Sequence, residues 1–236
     1  MHMKKTLIPR AILFLTSVLV FGQNKPDIPD GEVIRYKTLL GRRGEEVEYS
    51  SQSIYRITEE NQEYYLLKSR SPGQSTETKI SIDSFIPIAM NKTVYGERSD
   101  INTSISLLTE PYLSPDEIAL IDTNDMANVL RAYPFDTPRD MTLIFLGQGG
   151  NEMNDMSFRI IFRGEETISL NNREYKAWKL ELKAELDGAM AFFASMIPKT
   201  YLWFSREDSR HLLKMTGSRG PGAENAITLE MISYTR

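Results

Sequence analysis

Few side chains in this sequence are equipped for chemistry, and their spacing limits what they can do. Beyond residue 22 one histidine remains, His211, directly after the charged turn Arg206-Glu207-Asp208-Ser209-Arg210. A histidine can serve as a general base only where a nucleophile is presented to it. No Gly-x-Ser-x-Gly elbow supplies one. His211 therefore reads as an exposed turn residue, and Asp208 with Arg206 or Arg210 as solvated turn charges. The chain contains no cysteine, which removes thiolate nucleophiles, thiolate metal ligands and disulfides together. One histidine with carboxylates is a poor zinc set. Asp122-Thr123-Asn124-Asp125 opens like a calcium loop, but Met126 and Ala127 stand where a ligand and a glycine belong, so a helix cap is expected. Gly147-Gln148-Gly149-Gly150 lacks the Lys-Ser/Thr of a phosphate loop and reads as a connection between strands. The acid pairs Glu45-Glu46 and Glu165-Glu166 lie beside glycine, where charged turn tips are ordinary. The residues thus point away from an enzyme, and they imply no cofactor and no metal.

Binding is better served. Residues 189–197 carry no charge and lie between Asp187-Gly188 and Pro198. Asp187 can cap a short helix there and Pro198 can end it. Such a helix is apolar around its whole circumference, so contact on one side leaves surface unsatisfied. Two roles fit. It can plug the interior of the sheet, or it can wall a greasy cavity in which Met190, Phe192, Phe193 and Met196 touch an acyl chain. Trp178 and Trp203, on strands expected to face that cavity, complete the candidate ligand-binding set.

The elements that must position these residues are strands. From Gly31 onward the dominant hydrophobic period is two. Strands are expected over residues 33–40, 47–58, 63–70, 79–83, 101–107, 141–146, 157–162, 166–170, 176–186, 201–206, 212–216 and 226–234, many joined by short turns. The alternation is cleanest over 176–186, where Trp178, Leu180, Leu182, Ala184 and Leu186 share one face and Lys179, Glu181, Lys183 and Glu185 a solvated one. On 201–206 both faces are apolar, which indicates a strand covered on both sides. Ser114-Pro115-Asp116-Glu117 has the form of a helix start. A second short helix is expected near Asp122, with Met126, Val129, Leu130 and Tyr133 as its stripe and Pro134 as its end. The expected fold is mainly β: a curved antiparallel meander or partly closed barrel with two or three short covering helices.

The first residues carry an address. Lys4, Lys5 and Arg10 lead an apolar run over residues 11–21 that only Thr16 and Ser17 interrupt, and Gly22 follows. This is the pattern of a cleaved secretory signal peptide over residues 1–22. The run is shorter than the roughly 20 apolar residues a membrane span needs, and no later stretch approaches that length. Residues 23–30, with two prolines, read as a flexible lead-in, and residues 31–236 as one β-rich domain. The formal net charge is −4, and loss of the basic leader makes it more negative. That balance excludes the basic face of a nucleic-acid binder. An exported, periplasmic or extracellular, soluble product is expected.

Several segments resemble a known family. They are Gly31-Glu32-Val33-Ile34-Arg35-Tyr36, Leu130-Arg131-Ala132-Tyr133-Pro134, Glu174-Tyr175-Lys176-Ala177-Trp178-Lys179-Leu180, and Tyr201-Leu202-Trp203-Phe204-Ser205-Arg206-Glu207-Asp208 with Arg210 and Lys214. Together they resemble the bacterial exported proteins of domain of unknown function 3108, over nearly all of the chain past the leader. Where that family often places proline after its arginine, this chain has His211-Leu212-Leu213. The resemblance implies an envelope location and a β-rich fold, and no activity. The expected function is a non-catalytic binder of an apolar or amphiphilic envelope ligand such as a lipid. The alternative is a structural module with a filled core that contacts an envelope protein.

Overall fold

Side chains that alternate between oil and water fold as that alternation requires, into strands. In a computed structural model, which describes residues 25–41, 46–97, 99–107, 113–146, 156–186, 198–218 and 225–236, six of them form a first antiparallel meander. These are β1 (Glu32–Leu40), β2 (Glu46–Glu59), β3 (Gln62–Ser71), β4 (Gln74–Ser81), β5 (Pro87–Val94) and β6 (Ile101–Ser106). The second half supplies β7 (Glu117–Leu120), β8 (Met141–Phe145), β9 (Met156–Leu170), β10 (Arg173–Leu186), β11 (Thr200–Ser205), β12 (Leu212–Ser218) and β13 (Ala226–Thr235). All join one curved sheet of 13 strands in the order β6-β5-β4-β3-β2-β1-β13-β12-β11-β10-β9-β8-β7. The expected meander is present. The sheet does not close into a barrel, because β6 and β7 stand at opposite edges.

Turn chemistry fixes the register of the long hairpins. Glu60 and Asn61 between β2 and β3, and Asn171 and Asn172 between β9 and β10, all have positive φ, as tight two-residue hairpins demand. Residues 157–162 and 166–170, expected as two strands, are one. Gly164 adopts φ +101 and lets a bulge opposite Lys179 and Leu180 bend β9 without ending it. β5 and β7 are additions to the expected set.

The helix expected at Ser114 does not form. Ser114 N donates to Glu117 Oε2 at 2.8 Å and Glu117 N to Ser114 O at 3.1 Å, as a cap would. The chain then continues as β7, because Ile118, Ala119 and Leu120 are all buried and pair in parallel with β8. The helix expected near Asp122 is present. The Asp122 carboxylate accepts from Asn124 N at 2.9 Å. A 3-10 turn (Thr123–Asp125), α1 (Met126–Val129) and a second 3-10 turn (Leu130–Ala132) then follow as one short helical run before Pro134. Among the described residues this is the only α-helix. Residues 189–197, and Gly147 to Gly150, lie outside the described residues.

The run covers the inner face of the sheet. One apolar cluster draws Ile34, Ile54 and Leu67 from the first meander, Leu180, Leu202 and Phe204 from the second half, and Val129 and Leu130 from the run. Residues 25–30, expected as a flexible lead-in, are docked across the end of this core. Ile28 is buried, Asp27 N donates to Asp208 O at 3.0 Å, and the Arg56 guanidinium donates to Ile28 O at 3.1 Å.

Candidate binding site

Cross-strand partners point to the same face of an antiparallel sheet, so the register places the inner-face residues in rows. One row runs Glu32, Ile54, Leu67, Thr78, Met90 from β1 to β5. The next runs Ile34, Gln52, Ser69, Thr76, Lys92 across the same strands. The inner face therefore changes from mainly apolar to mainly polar within one pleat. The helical run meets the polar rows with its own polar side chains. Thr78 donates to Asp125 Oδ2 at 2.5 Å and Lys92 pairs with Asp122 at 2.7 Å. Gln52 donates to Asn124 O at 3.2 Å and accepts from Asn128 Nδ2 at 3.1 Å, while Gln74 donates to Asn124 Oδ1 at 3.1 Å. Burial pushes the Asp125 carboxyl up to about 7, although the Thr78 hydrogen bond opposes the shift.

Beside Asn124 the hollow opens into a pocket of about 190 Å³. Its walls differ in character. Gln52, Ser69, Gln74 and Thr76 from β2 to β4 form one side, and Ile227 and Leu229 of β13 the other. The arrangement can hold a molecule with one hydrogen-bonding end and one oily end. Among the described residues that line it, no histidine stands beside a nucleophile.

The groups that could have formed such a pair are walled off elsewhere. Ser209 Oγ and His211 Nδ1 are 2.9 Å apart, but the residues are 2% and 1% exposed. The expectation of an exposed turn histidine is thus corrected. The His211 ring stacks on Tyr234 with centroids 4.0 Å apart, because β13 passes directly beside the turn. Burial, reinforced by the Arg131 and Arg236 cations, pushes its imidazole down to about 3, so it is neutral. Tyr234 donates to Glu32 Oε2 at 3.1 Å, and Arg131 Nη2 donates to Glu32 Oε1 at 2.6 Å. The network ties the helical run to β1, the turn and β13. Arg210, expected in solvent, is buried, with its guanidinium 5.8 Å from the Trp178 and Phe135 rings.

The two tryptophans of the candidate set lie apart. Trp178 pairs in register with Phe204 and stacks on Phe135 at 4.5 Å on the inner face. Trp203 pairs with Lys179, so it lies on the outer face, where the Lys179 ammonium sits 4.8 Å from its ring. They cannot line one cavity. Trp203 is nonetheless buried, as are Leu202 and Phe204, in keeping with a strand covered on both sides. Glu181, expected on a solvated face, is only 2% exposed. Burial raises its pKa, but ion pairs with Arg163 at 2.7 Å and Lys199 at 3.2 Å outweigh that, and the net shift is downward. Met190, Phe192, Phe193 and Met196 lie outside the described residues. Sequence reasoning missed Gln52, Ser69, Gln74 and Thr76. Gln52 and Ser69 are polar positions of expected strands, which look the same as a solvated face, and Gln74 and Thr76 precede the strand expected from residue 79, whereas β4 begins at Gln74.

Among the described residues no group of three or more His, Asp or Glu is placed to hold a metal ion. No helix there is long and apolar enough to cross a membrane. No protein-family model and no curated protein matches the chain. Solved structures match over most of it at low identity. A protein described as exported and of YmcC-like fold, from Bacteroides fragilis, is 10% identical, with 90% of this chain and 99% of that one covered, at a TM-score of 0.40. The hypothetical lipoprotein YmcC of Escherichia coli is 9% identical over 89% and 88%, at 0.29. A LolA superfamily protein of Nitrosomonas europaea is 12% identical over 87% and 86%, at 0.26. Likenesses this distant carry neither membership nor function to this chain.

Proposed function

We propose that the chain is an exported, non-catalytic binding protein that holds an amphiphilic ligand against the inner face of its sheet. The observation that carries this is the two-sided pocket, with Gln52, Ser69 and Thr76 facing Ile227 and Leu229. A purely apolar ligand would leave the Ser69 and Thr76 hydroxyls unpartnered, and a purely polar one would leave the β13 wall wet. In this reading the tail also contacts Met190, Phe192, Phe193 and Met196 of the apolar segment 189–197, and Trp178. The leader pattern and the motifs resembling domain of unknown function 3108 support an envelope location. Native mass spectrometry of gently purified protein tests the reading. A bound lipid-sized adduct is the expected result. Bare protein that also fails to take up an added amphiphile refutes it.

A second reading rests on β6. This strand stands at the edge of the sheet, is exposed along most of its length, and carries Ile101 at 64% exposure. It contains no lysine and no proline, the residues that commonly protect an edge. An envelope module that pairs with another protein through β6 would be captured by crosslinking from Thr103 in intact cells. A ligand binder working alone would not.

A further inference from the structure

We infer that the polar end of the ligand is a neutral, hydroxylated headgroup, glycosyl or glyceryl, recognised by the hydroxyls of Ser69 and Thr76. The inference rests on the binding reading above and names the ligand class for the same pocket.

Ser69 and Thr76 are direct cross-strand partners on β3 and β4, so their side chains leave the same face of the sheet. Both line the pocket. Thr76 is only 2% exposed. Neither Ser69 Oγ nor Thr76 Oγ1 has a hydrogen-bond partner among the described residues. Buried hydroxyls are nearly always paired, since an unmade hydrogen bond in a dry site destabilises the fold. Two unpaired in one pocket are placed for a group that enters it. Their neighbours are already committed. Gln52 and Gln74 are locked to Asn124 and Asn128, which fixes that wall and leaves the Ser69 and Thr76 hydroxyls as the buried lining groups without a partner among the described residues.

The chemistry of the pair narrows the class. A hydroxyl donates one hydrogen bond and accepts others, so two together complement another donor-acceptor group, which is another hydroxyl. The charges around the pocket favour no ion. Glu48, opposite Thr38 on the inner face, already has a partner, Arg70 pairs with Ser51 and Ser75 on the outer face, and the adjacent Lys92 and Asp122 neutralise each other. An ionic headgroup gains nothing there that repays leaving water. Ile227 and Leu229 across the pocket take the first methylenes of the chain.

Titration calorimetry with four ligands sharing an eight-carbon chain, each below its micellar range, tests this: octyl β-glucoside, monooctanoylglycerol, octylphosphocholine and octanoate. Wild-type protein should bind at least one of the two polyols about tenfold more tightly than the phosphocholine or the carboxylate, as two hydrogen bonds between uncharged groups imply. The better polyol identifies the source of the headgroup. The double variant Ser69→Ala with Thr76→Val should lose that preference while its melting temperature holds or rises, because it removes buried hydroxyls that the fold leaves unpaired. Equal affinity for all four ligands overturns the inference and leaves the binding reading standing. A variant that keeps the preference, or that melts clearly lower than wild type, also overturns it. Failure of every ligand to bind overturns both.

Discussion

Arg131 and Glu32 meet at 2.6 Å with side chains 1% and 0% exposed, joining the helical run to the first strand. Arg131 Nε and Nη1 find no further partner among the described residues, so the pair is dry and tightly constrained. Breaking such a pair leaves one buried charge uncompensated. Arg131→Met should therefore lower stability by about 3–5 kcal/mol, and Glu32→Leu by a comparable amount. The double variant should cost much less than the sum, which urea denaturation of all four proteins would show.

His211 makes the fold sensitive to acid. Its folded pKa of about 3 lies below the ordinary 6.5, so the unfolded chain binds the extra proton between those values. The contribution of His211 is present in full above pH 6.5 and is lost as the pH falls toward 3. His211→Gln should flatten the decline in melting temperature across that window. An unchanged slope would show that the imidazole is not held neutral.

Asp125 acts in the opposite sense. Its folded pKa of about 7 lies above the ordinary 3.8, so the folded chain binds the extra proton. The contribution is present in full below pH 3.8 and is lost as the pH rises through 7. Asp125→Asn keeps an acceptor for Thr78 and should be more stable than wild type at pH 8, with the difference closing by pH 4. The two windows overlap between pH 4 and 6.5, where the two groups partly cancel in the wild-type profile.

Gly164 is held by its backbone alone. No atom lies within 4 Å of where a Cβ would sit, but φ is +101. Gly164→Ala should cost about 1–2 kcal/mol through backbone strain, with no packing loss. Thermal melting would report it, and a neutral result would mean that the bulge relaxes.

Trp203 faces away from the pocket, so Trp203→Phe should leave ligand affinity unchanged within about twofold, as expected for a residue outside the contact set. Calorimetry with the same amphiphiles checks this.

The strands were legible wherever one chain segment carried its own evidence. Trp178, Leu180 and Leu182 alternate with charged residues, and β10 follows that parity. What the parity could not reveal was contact between segments. Glu181 was expected in water because its neighbours on the strand are charged, and it is dry because Arg163 and Lys199 close over it. His211 follows a charged turn, and Tyr234 covers it from β13. Trp178 and Trp203 each have a definite face on their own strands, but the register between β10 and β11 sets those faces opposite. Ser69 and Thr76 are part of the pocket only because the helical run docks over their row, and no local pattern announces that docking. The cap at Asp122 was readable because its partner is two residues away.

The seam between β1 and β13 has a consequence for how the domain can fold. Val33 pairs with Thr235 and Leu40 with Ile227, so the middle of the sheet is stitched by the earliest and latest strands of the domain. Until β13 docks, the chain has two separate half-sheets, each with a bare central margin. Loop closure over almost the whole domain must precede that final zippering. Until then four margins are open to wrong neighbours instead of two, so the docking of β13, and not the folding of either half, is the event that commits the domain to its native form.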